Sequence, residues 1–70
     1  MKISARNILP GKVVKVTEGA VNAEVVLEVA PGVKVTAMIT KASAASLGLR
    51  EGVKAYAVVK ASSVMVGVDG

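Results

Sequence analysis

The chain has 70 residues, 53% of them hydrophobic and 20% charged, with no cysteine, no histidine and a single aromatic residue, Tyr56. Disulfides are therefore excluded, a zinc site loses its two main ligand types, and a chain this short has room for one core. Nine Lys and Arg against five Asp and Glu leave a formal net charge of +4, so the field around the domain favours anionic partners.

Composition narrows the function classes further. Small scaffolds without disulfides or metals commonly gain stability by association, which makes self-association the expected staple here. General acid-base chemistry would fall on Glu18, Glu24, Glu28, Glu51, Asp69 or the lysines, so an enzyme is the weakest of the broad options. One tyrosine cannot build the stacking platform of a nucleic-acid module. No apolar run approaches the ~20 residues of a membrane span, and Met1-Lys2-Ile3-Ser4 opens no signal-peptide stretch, so a cytoplasmic location is expected by default.

Along the chain, Asn7-Ile8-Leu9 meets Pro10-Gly11 and resumes as the β-branched run Lys12–Thr17, which reads as one long strand with a bulge or kink at Pro10-Gly11. Glu18-Gly19-Ala20 is a tight turn. Val21–Val29 carries polar residues at Asn22, Glu24 and Glu28 and reads as a half-buried strand. Pro31-Gly32 predicts a turn in which proline presets the first position and glycine takes the positive φ of the second. Val33–Ile39 then alternates apolar residues at odd positions with Lys34 and Thr36, giving a hairpin with one wet face.

At Thr40 the period changes. Thr40 can cap a short alanine-rich helix over Lys41–Leu47, and Gly48 with Leu49 fits a C′ glycine followed by its apolar partner. Arg50-Glu51-Gly52 is a loop, Val53–Lys60 a fourth strand and Val64–Val68 a fifth. The predicted fold is all-β: an OB-fold, a small five-stranded barrel with one short helix between strands 3 and 4. Val13, Val25, Val29, Val35 and Val58 are the expected core, Met38 and Met65 expected packing residues, and Lys12, Lys15, Lys34 and Lys54 a solvated face.

Two short segments break the strand pattern with concentrated hydrogen-bond donors: Ser4-Ala5-Arg6-Asn7 before the first strand, and Lys60-Ala61-Ser62-Ser63 after the fourth. Either could be a plain solvated loop whose serines bond their own backbone. Both nonetheless offer hydroxyl, guanidinium, amide, ammonium and backbone N–H donors, and neither contains a carboxylate or an imidazole. Such a lining suits an anion that carries no proton, because every ligand oxygen is an acceptor. Molybdate, tungstate and sulfate meet that condition at neutral pH, whereas hydrogen phosphate brings an O–H donor of its own.

Ser4-Ala5-Arg6-Asn7, Gly11-Lys12-Val13, Ala23-Glu24-Val25, Ile39-Thr40, Leu47-Gly48-Leu49 with Glu51-Gly52, Val59-Lys60-Ala61-Ser62 and Val64-Met65, in this order, closely resemble the molbindins. These are free-standing Mop (TOBE-type) domains that bind molybdate and tungstate in bacterial cytoplasm. The resemblance spans nearly the whole chain and implies one such domain over residues 1–70, a homo-oligomer built as a hexameric trimer of dimers, and oxyanions held at subunit interfaces without chemistry. It further implies that Ser4, Ala5, Arg6 and Asn7 of one subunit meet Lys60, Ala61 and Ser62 of another around the oxyanion, and that Thr40 matches the family's threonine ending strand three.

On this reading no cofactor is needed, and molybdenum is held as molybdate with no metal directly ligated by the protein. Pro10 departs from the simplest strand pattern, since proline cannot donate to a sheet ladder. The family's second kind of site near the three-fold axis has no distinctive motif here. The rival reading is an OB-fold nucleic-acid-binding module, suggested by fold and charge; a detached regulatory domain of a transporter or transcription factor is a third, set against the absence of any ATPase or helix-turn-helix segment.

Overall fold

In the computed structural model, which covers residues 1–70, the run around Pro10 forms one unbroken twelve-residue strand, β1 (Asn7–Glu18). β2 (Asn22–Ala30), β3 (Val33–Thr40), a helix α1 (Lys41–Ser46), β4 (Lys54–Val59) and a 3-10 turn η1 (Ala61–Ser63) follow. The four strands make one antiparallel sheet in the order β3-β2-β1-β4. It curls so that Leu27, Ile39 and Ala55, from β2, β3 and β4, border a common apolar hollow of about 370 Å³.

Pro10 leaves the strand unbroken because of where it falls in the ladder. Over Asn7–Gly11, β1 pairs only with β4, and its pairing with β2 starts at Lys12. A strand with one open edge can hold a proline without leaving a neighbour unpaired. Gly11 beside it is required for a different reason: a Cβ there would lie 2.5 Å from the Glu28 carbonyl oxygen, so only glycine lets β1 approach β2 this closely.

The expected irregularity lies further along, where the β1–β2 register shifts between Val13 and Lys15. The extra residue, Val14, resets the alternation, so that Val13 is buried and Val16 also packs against the core. Val13, Val25, Leu27 and Ala57 form that core, with Val29, Val35, Ile39 and Leu49 packed around it. The lysines at 12, 15, 34 and 54 are exposed.

The turns follow their residues. Gly32 has φ +74° after Pro31, and Gly52 has φ +91° in the loop that ties β1 to β4, where Val13 N–H donates to Val53 and Gly52 N–H to Val13. Thr40 caps α1 by accepting from the Ser43 amide at 3.0 Å. At the other end Gly48 N–H donates to the Ala45 carbonyl and Leu49 N–H to the Ala44 carbonyl, the paired bonds of a Schellman motif around Gly48 at φ +64°. Leu49 thereby drops onto the core.

Three expectations are corrected. There is no fifth strand: Val64–Val68 has no ladder, and Met65 is 94% exposed with Val66 and Val68 at 90%. β-propensity alone builds no strand, because a strand exists only through a neighbour to pair with, and in the single chain this segment has none. Val58 is not core but 39% exposed, since the alternation of β4 turns Ala55, Ala57 and Val59 inward. Met38, 62% exposed on the outer face of β3, and Met65, 94% exposed, both lie outside the core.

Candidate functional site

The β1–β4 ladder decides where the two donor-rich segments meet. Asn7 pairs with Val59, so Ser4-Ala5-Arg6 and Lys60-Ala61-Ser62 leave the sheet side by side at its last rung. Between them lies an open cleft of about 570 Å³, lined by Ser4, Ala5, Arg6, Lys60, Ala61 and Ser62, with Ile3 and Val58 as apolar walls. One chain thus brings together both segments that the resemblance assigns to different subunits.

The donors in the cleft are free to act outward. Within η1 the Ser63 amide donates to the Lys60 carbonyl at 2.8 Å and the Val64 amide to the Ala61 carbonyl at 3.3 Å, so the turn's own bonds leave out the amides of Ala61 and Ser62. Lys60 stands at the N-cap with no side-chain cap bond. The chain's one ion pair joins Lys41 to Glu18 at 3.8 Å, which leaves Arg6 and Lys60 without a carboxylate partner. None of the five acidic residues borders the cleft. No three His, Cys, Asp or Glu side chains gather to offer a cation a ligand set.

Asn7 and Thr40 stand outside this lining. The Asn7 Nδ2 donates to the Val59 carbonyl at 3.3 Å, across the rung that ends the ladder. Thr40 pairs with Asn22 at the opposite edge and opposite end of the sheet. Its hydroxyl accepts from the Ser43 amide and donates to Ser43 Oγ at 2.7 Å, so the helix cap occupies it. Sequence reasoning missed Ile3 and Val58 as walls; the period-two alternation of β4, which puts Val58 on the face of exposed Tyr56, was the available signal for the second.

The TOBE domain family matches residues 3–66. Molybdenum-pterin-binding protein 3 of Clostridium pasteurianum is 54% identical over 66 residues, which is 94% of this chain and 97% of that protein. The structure of MopII from Clostridium pasteurianum superposes with a TM-score of 0.90 at 51% identity, covering 96% of this chain and all of that one. The cytoplasmic molybdate-binding protein ModG with molybdate bound gives a TM-score of 0.92 at 51% identity over 99% of this chain, and the match takes up 49% of ModG. A curled β-sheet with one short helix, this degree of identity and near-complete mutual coverage place the chain in the TOBE-domain family, among the molbindin (Mop) proteins.

Proposed function

We propose that residues 1–70 form a single Mop domain that binds molybdate or tungstate as an intact oxyanion, performs no chemistry on it, and serves storage, buffering or delivery of molybdenum in the cytoplasm. The observation that carries this reading is the cleft at the end of the β1–β4 ladder, where Ser4, Ala5, Arg6, Lys60, Ala61 and Ser62 converge with two unpaired cations and no carboxylate. The names of the relatives, which speak of molybdate and molybdenum-pterin binding, support the same ligand class.

The binding unit we propose is a homo-oligomer, a hexameric trimer of dimers with the oxyanion at subunit interfaces. Three observations support association. The chain makes 32 backbone–backbone hydrogen bonds, against roughly 45 to 50 for a self-contained domain of this length. Its radius of gyration is 12.9 Å, where a compact chain of this length has about 11 Å. Val64, Met65, Val66 and Val68 are exposed, and the apolar hollow stands open. An interface also serves the ligand: in an open cleft water competes with each donor, and covering it strengthens every charge-assisted bond to a dianion.

The nucleic-acid reading draws less support. The only aromatic ring, Tyr56, has the Lys54 ammonium 5.7 Å from its centroid, so its face is already engaged in a cation–π contact. Native mass spectrometry with and without added molybdate tests the proposal directly. Oligomers that gain integral numbers of molybdate ions are expected; a folded monomer at micromolar concentration that takes up no anion would overturn it.

A further inference from the structure

We propose that Asn7 is a positioning residue that sets the size selectivity of the cleft, a role that rests on the oxyanion reading above. Asn7 directly follows Arg6 and Val59 directly precedes Lys60, so the Asn7 Nδ2–H to Val59 carbonyl bond joins the two chain segments at the point where each enters the cleft. The half-buried Asn7 side chain is turned to that carbonyl and does not line the cleft. It acts on the anion through Lys60, Ala61 and Ser62, which it holds at a fixed separation from Ser4, Ala5 and Arg6.

The location explains why a clasp matters. The last rung of a ladder is where pairing frays, and past Val59 the chain is held by the two bonds of η1 alone. Sulfate and molybdate are both proton-free tetrahedral dianions, so a lining of donors accepts either. Within the cleft, the reach between the two segments separates the larger ion from the smaller. A cleft free to narrow would close on sulfate; one clasped at its base leaves sulfate short of part of its donors.

Calorimetric titration of wild type, Asn7→Leu and Asn7→Ala with molybdate and with sulfate reads this directly. Loss of one neutral hydrogen bond weakens molybdate binding by roughly three- to tenfold, while sulfate affinity holds or rises, so that the molybdate-to-sulfate ratio falls by at least that factor. In the anion-free variants the amides of Ser63 and Val64 exchange faster than in wild type. In wild type, nuclear magnetic resonance signals of the Asn7 side-chain amide move less on molybdate addition than the Ser62 backbone amide, a comparison that does not depend on a variant folding. Equal weakening of both anions, an unchanged ratio, or an Asn7 amide that shifts as strongly as Ser62 would overturn the clasp. Wild type that binds neither anion would instead overturn the oxyanion reading itself.

Discussion

The sheet has two polar ends assembled from similar parts and left in opposite states. At one, Thr40 and Lys41 lead from β3 into α1; at the other, Lys60 leads from β4 into η1. At the first end Thr40 is consumed by the Ser43 cap and Lys41 faces Glu18 at 3.8 Å. At the second no side chain caps the turn, no carboxylate faces Lys60 or Arg6, and the Ala61 and Ser62 amides lie outside the turn's bonds. Residue type does not separate a helix cap from the proposed anion site. What separates them is the donor capacity that folding leaves unspent.

The comparison breaks first if the cations of the open end carry no ligand. Arg6→Ala and Lys60→Ala are each expected to weaken molybdate binding about ten- to a hundredfold, since a hydrogen bond to a charged group contributes roughly 1.5 to 3 kcal/mol. Assembly should survive, because both side chains lie outside the apolar core. Calorimetry and sedimentation on the same samples read both; wild-type affinity in the two variants would move the site elsewhere.

Anion competition sharpens the claim that the open end offers many donors and no charged acceptor. At neutral pH, hydrogen phosphate would bury its O–H among donors, at a cost on the order of 1 to 3 kcal/mol. The expected order is molybdate and tungstate first, sulfate weaker and phosphate weakest. Phosphate as tight as molybdate would require a charged acceptor in the cleft.

At the consumed end, Thr40→Ala should lower stability by about 1 kcal/mol through loss of the N-cap, read by urea denaturation, with molybdate affinity within about twofold of wild type. A tenfold loss of affinity would bring Thr40 into the site from a neighbouring subunit. The smallest expected effect is that of Lys41→Ala. Both partners of its ion pair are more than half exposed, and such pairs contribute ~0.5 kcal/mol or less, so neither denaturation midpoint nor affinity should move measurably.

Much of this arrangement was legible in the residues. The turn at Pro31-Gly32, the Thr40 cap and the Gly48-Leu49 helix end are local, since each is set by one or two side chains acting on their own backbone. The donor segments were legible as residue types free of carboxylates. Less legible was which donors folding would engage: Asn7 and Thr40 read as candidate ligands alongside Ser4 and Lys60, and in the folded chain Asn7 gives one N–H to Val59 while the Thr40 hydroxyl bonds Ser43. Val58 misled because a β-branched residue announces burial, whereas its face depends on the alternation of β4.

By itself the sequence determined the turn at Pro31-Gly32, the capping roles of Thr40 and Gly48, the anion-favouring charge and the family. Those are properties of neighbouring residues or of overall composition. The tertiary structure alone decided that Ser4–Arg6 and Lys60–Ser62 share one cleft, because their approach depends on the rung between Asn7 and Val59, 52 residues apart. It also decided that Val64–Val68, valine-rich as it is, stays unpaired in the single chain. A ladder needs two partners, and the hydrogen bonds of the second are not written in the residues of the first.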